Sequence, residues 1–232
     1  SRARDLFLQD LEICEQLGDK QGISIAHGLL GELYSIEGKF ELAIRHLETN
    51  LEESTRLGYQ KGIAKAINSL GDVYYFMEEH ARAAEYYQKA IDISRNIDNM
   101  LVLGQSLLEK AAPVLAMGAV EEADKLQQET AQVAERLSNR ALAFEAQLLK
   151  AKIWRAAGKQ DQARQHLLDL QSEAVRKTEK AAVEYQLWKI DSSDHSRLEK
   201  ALQLYRELQA IAPTFLIRHR VSELEDALEN KP

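Results

Sequence analysis

Residues that could take part in acid–base or metal chemistry are present, but their spacing does not form a site. No two of the six histidines are four positions apart, the spacing that places two ligands on one helix face. Two segments with turn-like composition combine acidic residues with a histidine, namely Glu78-Glu79-His80 and Asp191-Ser192-Ser193-Asp194-His195. Neither segment fixes the ligand number that zinc or calcium requires. We therefore expect solvated turn residues there, with no metal and no cofactor.

Sequence motifs for catalysis and nucleotide binding are also missing. The chain has no Gly-x-x-x-x-Gly-Lys-Ser/Thr, His-Glu-x-x-His or Gly-x-Ser-x-Gly sequence. The single cysteine, Cys14, falls in line with Ser54, Ser94 and Ala134 at steps of forty positions. A position that always carries a small side chain indicates packing between helices rather than a nucleophile. The sequence predicts no catalytic residues and no enzyme activity.

Composition and charge indicate which classes of partner the protein does not bind. The 232 residues include 30 basic and 37 acidic side chains, for a net charge of −7, without a basic cluster that would favour nucleic acid. No run of about 18 apolar residues is available to cross a membrane. One cysteine cannot form an internal disulfide and fits a reducing compartment. We expect a cytoplasmic protein that binds neither nucleic acid nor membranes.

An internal repeat with a period of forty positions organises the chain. Ala66, Leu70, Gly71 and Tyr74 have counterparts one period earlier, and alanine recurs on the same frame further along. These alanines are Ala43, Ala83, Ala123 and Ala163. A fixed period of this length is typical of a helical solenoid, in which neighbouring units cover each other's apolar faces.

Each forty-residue repeat contains residues that typically begin and end two helices. Asp19, Asn99 and Asn139 can cap the first helix of a unit, whereas Tyr59 in the equivalent place cannot. The first helix is expected to end at a left-handed residue, supplied by Gly38, Gly118 and Gly158, with Glu78 as the exception. A turn of two or three residues then forces the second helix to lie antiparallel to the first.

Two segments carry a family resemblance. Leu30-Gly31-x-x-Tyr34 with Gly38 and Ala43, and Leu70-Gly71-x-x-Tyr74 with Ala83, resemble the tetratricopeptide repeat. The spacing of forty positions is similar to the longer variant found in kinesin light chains, in Leu-Gly-Asn polarity adaptors and in arrays attached to bacterial signalling proteins.

The resemblance implies an all-α fold, a right-handed superhelical solenoid of antiparallel helix pairs with about four and a half to five repeats and a C-terminal capping helix. Residues 1–18 would be the second helix of a truncated repeat. The predicted repeats are 19–58, 59–98, 99–138 (diverged), 139–178 and 179–212 (irregular), followed by a capping helix and tail at 213–232. The sequence from Ser196 to Glu199 predicts a capping box at the start of the second helix of the irregular repeat.

Pro113 sets the third repeat apart, because it stands inside the predicted first helix. Proline removes the amide that would bond to the carbonyl of Glu109, and its ring crowds that carbonyl. We expect a bend or a break near residues 109–113. Such a feature would be a tolerated kink in a diverged repeat, or else a change of superhelical pitch that shapes the groove.

The resemblance further implies that the first helices line a concave groove. Its predicted binding residues are Ile36, Lys65, Asn68, Asp72, Tyr75, Phe76, Leu108, Leu115, Leu148, Lys152 and Arg155. The middle of the groove should be apolar and aromatic, with an acidic edge at Glu32 and a basic edge at Lys152 and Arg155. A helix or extended peptide with apolar anchors and some acidic residues would suit it, unless Tyr75 or Phe76 packs against the next repeat.

Two functional hypotheses follow. The first is a protein- or peptide-binding scaffold within a larger bacterial signalling or regulatory protein. A chaperone-tail clamp is disfavoured, because Leu29, Ser69 and Glu109 occupy the place where such clamps need asparagine. The alternative is self-association, with a homodimer formed through the helix at residues 3–17 or through the groove, which would hold a linked catalytic or regulatory domain as a dimer.

Overall fold

The computed structural model describes residues 2–229. This part of the chain forms twelve helices and no strand. The helices are α1 (Arg2–Leu17), α2 (Lys20–Glu37), α3 (Phe40–Arg56), α4 (Gln60–Phe76), α5 (His80–Asn96), α6 (Met100–Ala116), α7 (Val120–Arg136), α8 (Arg140–Ala156), α9 (Gln160–Glu173), α10 (Lys177–Ile190), α11 (His195–Ile211) and α12 (Phe215–Glu229). The predicted all-α fold of consecutive helix pairs is confirmed, while the exact division into repeats stays a prediction.

The chain divides into two compact units. The first unit comprises residues 1–142 and holds α1 to α7 with the first turn of α8. The second unit comprises residues 143–232 and holds the rest of α8 with α9 to α12. Each unit has apolar clusters of its own, which join α3, α4 and α5 in the first unit and α10, α11 and α12 in the second.

Left-handed residues recur every 20 positions and separate the helices. The predicted glycines Gly38, Gly118 and Gly158 have φ values of 78°, 82° and 75°, which confirms their role. Glu78 takes the same conformation, with a φ of 63°, although it lacks the freedom of glycine. A side chain in this region costs about 1 kcal/mol, so the packing of the flanking helices must impose the turn.

The predicted N-terminal caps of three helices are confirmed. Asp19 Oδ1 accepts a hydrogen bond from the Gly22 amide at 3.0 Å, and Asn99 and Asn139 accept equivalent bonds from the third residue of their helices at 3.3 and 3.1 Å. Tyr59 makes no such bond. A short polar side chain is needed because the first amides of a helix have no partner within it.

Small residues allow the two helices of a pair to approach each other. Ala43, Ala83 and Ala123 are fully buried. A Cβ atom added at Gly31 would lie 2.6 Å from Leu47 Cγ, and one at Gly71 would lie 2.7 Å from Tyr87 Cε1. The repeated alanines and glycines of the sequence are therefore places where a larger side chain would separate the helices.

The first helices of successive pairs form one layer of the first unit. Helix α2 contacts α4, and α4 contacts α6. Among the described residues of this unit, α3 and α5 make no comparable contact, nor do α5 and α7. The layer of α2, α4 and α6 is therefore the more closely packed one, which brings side chains from three pairs onto a common surface.

The expected break at Pro113 is wrong. Helix α6 runs without interruption from Met100 to Ala116 with Pro113 inside it. The proline is buried, and its own carbonyl accepts the Met117 amide at 3.0 Å. A proline inside a helix costs about 3 kcal/mol, and packing of α6 against both α5 and α7 offsets that loss.

The second unit departs from the regular spacing after α9. The cap of α11 is Asp194, whose Oδ1 accepts the Arg197 amide at 3.1 Å, so the predicted capping box from Ser196 to Glu199 is wrong. Pro213 lies in the connection between α11 and α12, where it interrupts no helical hydrogen bond. Val221 and Leu224 are the buried residues of α12. The last residues of the predicted tail, 230–232, lie outside the described part.

Candidate functional site

A pocket of about 360 Å³ opens on the layer formed by α2, α4 and α6. Its wall comes from the first helices of three successive pairs. The lining residues are Glu32, Ser35, Ile36, Lys65, Asn68, Ser69, Asp72, Phe76, Val102, Gln105 and Glu109. We call this site the first-unit pocket.

Five of the predicted groove residues lie on the first-unit pocket, namely Ile36, Lys65, Asn68, Asp72 and Phe76. They come together because α2 and α4 are neighbours and present the same face.

The other aromatic and apolar residues predicted for this region do not line the first-unit pocket. Tyr75 packs against the core formed by α3, α4 and α5, and its ring lies 5.7 Å from that of His80. Leu108 and Leu115 are half-buried on α6. The first-unit pocket thus contains Ile36 and Phe76 from the predicted apolar middle of the groove, while a binding role for Tyr75, Leu108 and Leu115 stays a prediction.

Leu148, one of the predicted binding residues, lies in a core and not on a groove surface. Leu148 is only 3% exposed and belongs to the core of the second unit, where it clusters with residues of α9 and α10 such as Leu167 and Val183. Lys152 and Arg155 lie on the same helix, α8, and are half-buried. Burial lowers the pKa of Lys152, although Glu145 acts in the opposite direction. Lys152 and Arg155 remain predicted binding residues.

Three carboxylates from three helices meet at the first-unit pocket. Asp72 on α4 accepts a hydrogen bond from the Tyr87 hydroxyl at 2.7 Å. Glu109 on α6 accepts one from Asn68 Nδ2 at 2.5 Å, and Glu32 on α2 completes the set. The partners of Asp72 and Glu109 are neutral, so these hydrogen bonds do not cancel the charge.

Two further hydroxyls hold the polar network in place. Ser106 donates to Asn68 Oδ1 at 2.6 Å, which orients the amide so that its nitrogen faces Glu109. Ser69 donates to Glu32 Oε1 at 3.3 Å. The side chains around the carboxylates are thus positioned by the protein before any ligand arrives.

Burial and mutual repulsion favour the protonated carboxyls. Burial raises the pKa of Asp72 to about 7, although the Tyr87 hydrogen bond acts against it, and nearby Glu32 raises this pKa further. Burial likewise raises the pKa of Glu109 well above its usual range, and the Asp72 charge adds to the effect. Desolvation disfavours a charged carboxylate, and a second carboxylate nearby disfavours it again.

The remaining wall of the first-unit pocket is apolar, with one unsatisfied hydroxyl. Ile36 and Phe76 contribute partly exposed apolar surface, and Val102 is buried behind them. Ser35 is only 5% exposed, and its Oγ has no hydrogen-bond partner. Lys65 is exposed at the pocket and is the one cationic side chain among the described residues that line it. The site can therefore hold an amphipathic group that carries hydrogen-bond donors.

Glu109 is a carboxylate of the site that sequence reasoning missed, since it is absent from the predicted groove residues. The sequence does contain a clue, because the equivalent positions, at steps of forty, carry Leu29, Ser69 and Leu149. A carboxylate at a position that is otherwise apolar or small is expected to have a special role, since burying a charge is costly.

Other groups with chemical potential form no site. Residues 2–229 contain no cluster of three or more His, Cys, Asp or Glu side chains arranged to hold a metal ion. Cys14 is buried where a Cβ atom on Gly22 would touch its sulfur, and burial, with Asp10 and Asp19, raises the pKa of its thiol. No helix of the described part has the length and apolar character needed to cross a membrane.

The sequence profile of the tetratricopeptide repeat family matches residues 22–96. This part of the chain is similar to tetratricopeptide repeats. It includes α2 to α5, and with them most of the residues that line the first-unit pocket. No curated protein matches the chain by sequence.

Solved structures with tetratricopeptide-like folds resemble between 80% and 100% of the chain. BtubC (BKLC) from P. vanneervenii is 15% identical and aligns with a TM-score of 0.69 over 100% of this chain and 92% of that one. A Rap protein complexed with Competence and Sporulation Factor is 13% identical, with a TM-score of 0.71 over 98% of this chain and 71% of that one. The kinesin light chain TPR-like repeats of Podosopora anserina are 18% identical, with a TM-score of 0.59 over 80% of this chain and 93% of that one. At such identities the similarity shows the fold alone.

Proposed function

We propose that the chain is a non-catalytic interaction scaffold that binds a peptide segment of a partner protein in the first-unit pocket. The observation that carries this proposal is the pocket itself. It joins apolar walls to fixed polar groups on the first helices of three successive pairs. Ligand sites commonly combine apolar surface with a few placed polar groups in this way.

A solved structure of similar fold also has a bound factor, which agrees with a binding scaffold. The Rap protein that resembles this chain was solved as a complex with Competence and Sporulation Factor. We propose that this chain serves a signalling or regulatory role in the cytoplasm as part of a larger protein. Its net charge of −7 fits a protein partner better than a nucleic acid.

A peptide array tests the proposal. The labelled chain is applied to random hexapeptides, and the tightest binders are then measured by fluorescence anisotropy with the wild type and with Phe76→Ala. We expect Phe76→Ala to weaken binding by about 10-fold, because truncating an apolar anchor typically costs more than about 1 kcal/mol. Leu42→Ala is the matched control, since Leu42 is an exposed leucine on α3, outside the pocket.

Two results would contradict the proposal. An array without any selective binder would argue against peptide recognition. Equal losses in Phe76→Ala and Leu42→Ala would show that the peptide lies elsewhere.

Self-association through α1 is the second candidate, and a specific observation favours it. Leu6, Ile13 and Leu17 on this helix are 55%, 54% and 77% exposed. Apolar side chains grouped on one exposed helix are typical of an interaction surface. A second copy of the chain could cover them and so hold linked domains together.

Light scattering across a wide concentration range separates the two candidates. A mass that stays near 26.3 kDa argues against self-association. A dimer that dissociates on dilution supports it, provided that Leu6→Glu combined with Ile13→Glu abolishes the dimer. If the dimer survives these substitutions, α1 is not its interface.

A further inference from the structure

We propose that the first-unit pocket recognises a basic side chain, arginine or lysine, of the bound peptide. The inference rests on the proposed peptide-binding function and specifies the chemistry of the ligand at that site. It reverses the expectation from the sequence, which favoured a ligand with acidic residues.

The balance of charge at the pocket supports a cationic ligand. Three carboxylates, from Glu32, Asp72 and Glu109, face a single ammonium group among the described lining residues, that of Lys65. Within the described part of the chain, none of these carboxylates forms an ion pair with a lysine or arginine. Their hydrogen-bond partners are the neutral side chains of Ser69, Tyr87 and Asn68. An acidic ligand would add to the repulsion that already favours protonation of Asp72 and Glu109, whereas a basic ligand would favour their ionised forms and pair with them.

The unsatisfied hydroxyl of Ser35 is the second observation. Its Oγ has no partner, although only 5% of the residue is exposed. Ser35 lies on the pocket wall beside Glu32 and Ile36. A buried polar atom without a partner costs about 1 to 3 kcal/mol. If the Ser35 side chain rotates toward the pocket, an N–H donor of the ligand can provide the missing hydrogen bond.

A basic side chain has an apolar stem and a charged end, and the pocket offers apolar walls and carboxylates to match them. Ile36, Phe76 and Val102 offer apolar surface on which the methylene groups of lysine or arginine can pack. The charged end would then reach Asp72 and Glu109, which lie on adjacent helices. A guanidinium group carries five donors in a planar fork and can serve two carboxylates and a hydroxyl together.

Recognition of a cation should be linked to proton release. The titratable groups that surround Asp72 are Glu32 from α2, Lys65 from α4, Tyr87 from α5 and Glu109 from α6, and Tyr75 from α4 lies near Tyr87. Since burial raises the pKa of Asp72 to about 7, a fraction of the protein holds a proton there at neutral pH. A bound cation favours the ionised carboxylate and displaces this proton. Binding should therefore strengthen as the pH rises from 6 to 8.

Hexapeptides with one fixed position provide the test. Four matched libraries carry arginine, citrulline, glutamine or glutamate at that position, and citrulline keeps the shape of arginine without its charge. The libraries are applied to the full chain, and dissociation constants of the best arginine peptides and their citrulline analogues are measured by anisotropy. We expect a loss of about 10-fold or more on replacing arginine with citrulline.

Variants of the protein locate the effect. Asp72→Asn combined with Glu109→Gln should remove the preference for arginine over citrulline, and Ser35→Ala should weaken arginine peptides by a smaller factor. The control is Glu121→Gln combined with Glu135→Gln, which replaces two exposed carboxylates of α7 in the same way. This control should keep the preference.

The outcomes distinguish the two proposals. Binding of some hexapeptides with equal affinity for arginine and citrulline, or with a preference for glutamate, would overturn the basic-side-chain inference and leave peptide binding intact. Loss of the arginine preference in the α7 control as well would show a long-range charge effect and would also overturn the inference. Absence of binding in all four libraries would overturn both.

Discussion

Both units contain carboxylates that are buried or half-buried, but the surroundings of these carboxylates differ. In the first unit, Asp72 and Glu109 have neutral hydrogen-bond partners, and their pKa values are raised by burial. In the second unit, Glu184 is 2% exposed and is paired with both Arg197, at 2.6 Å, and Lys200. Glu223 is likewise held by two cations, Lys189 at 2.8 Å and Arg220 at 2.9 Å.

In the second unit, the charge of each of these carboxylates is balanced by cations of the fold itself. In the first unit, a cation from a ligand could balance the charge. Burial would raise the pKa of Glu223, but hydrogen bonds from Lys189 and Tyr185 and the neighbouring positive charges lower it to about 2. Its interactions are complete within the second unit. The carboxylates of the first-unit pocket lack such cations, and a ligand can supply one.

The largest effect is expected from breaking the Glu184 cluster. Arg197→Ala combined with Lys200→Ala should lower the free energy of unfolding of the second unit by about 3 kcal/mol, because a buried carboxylate would lose both cations. Urea unfolding followed by tryptophan fluorescence measures this unit selectively, since Trp154 and Trp188 are the only tryptophans and both lie in it. Lys177→Ala, which breaks an exposed pair with Glu207, serves as the control and should change little.

A smaller loss is expected at Glu223. Because the folded-state pKa lies below the ordinary value of 4.5, the ionised group stabilises the fold above that pH, and the contribution is lost as the pH falls through about 2. Glu223→Gln should therefore destabilise the second unit by about 2 kcal/mol at pH 7 and by much less at pH 3. A difference between variant and wild type that does not change with pH would refute the proposed role of the charge.

The smallest effect has the opposite sign and concerns Asp72. Because its folded-state pKa is raised from 3.8 to about 7, the stability linked to its protonated form is present below pH 3.8 and is lost as the pH rises through 7. Asp72→Asn should stabilise the first unit by about 1 kcal/mol at pH 8 and hardly at all at pH 4. Hydrogen exchange of α4 amides at both pH values checks this, with Glu121→Gln as the control. A destabilised variant at pH 8 would show that the charge of Asp72 is already compensated.

The helices were largely predictable because their ends depend on local chemistry. Asp19, Asn99 and Asn139 satisfy amides three residues away, and Gly38 and Gly118 adopt the conformation that ends a helix. These features act within a few residues, so they are visible in the sequence. Helix α6 continues through Pro113 because neighbouring helices hold it, which the local rule does not include.

The site was only partly predictable because it depends on contacts between distant residues. Asn68 and Glu109 are 41 positions apart, and their hydrogen bond exists only because α4 and α6 are neighbours. The expectation for Leu148 fails for a related reason. Its burial involves Val183 and Leu187 of α10, where the period of the repeat has drifted and no longer aligns one repeat with the next.

Hydrogen exchange of the full chain with and without the tightest arginine hexapeptide tests most directly whether the first-unit pocket is the binding site. The peptide should protect segments of α2, α4 and α6, which line the pocket, and leave α10 to α12 unchanged. The same peptide should give no protection in Asp72→Asn combined with Glu109→Gln. Protection confined to the second unit, or protection of α2, α4 and α6 that persists in this variant, would contradict the assignment of ligand recognition to the unpaired carboxylates.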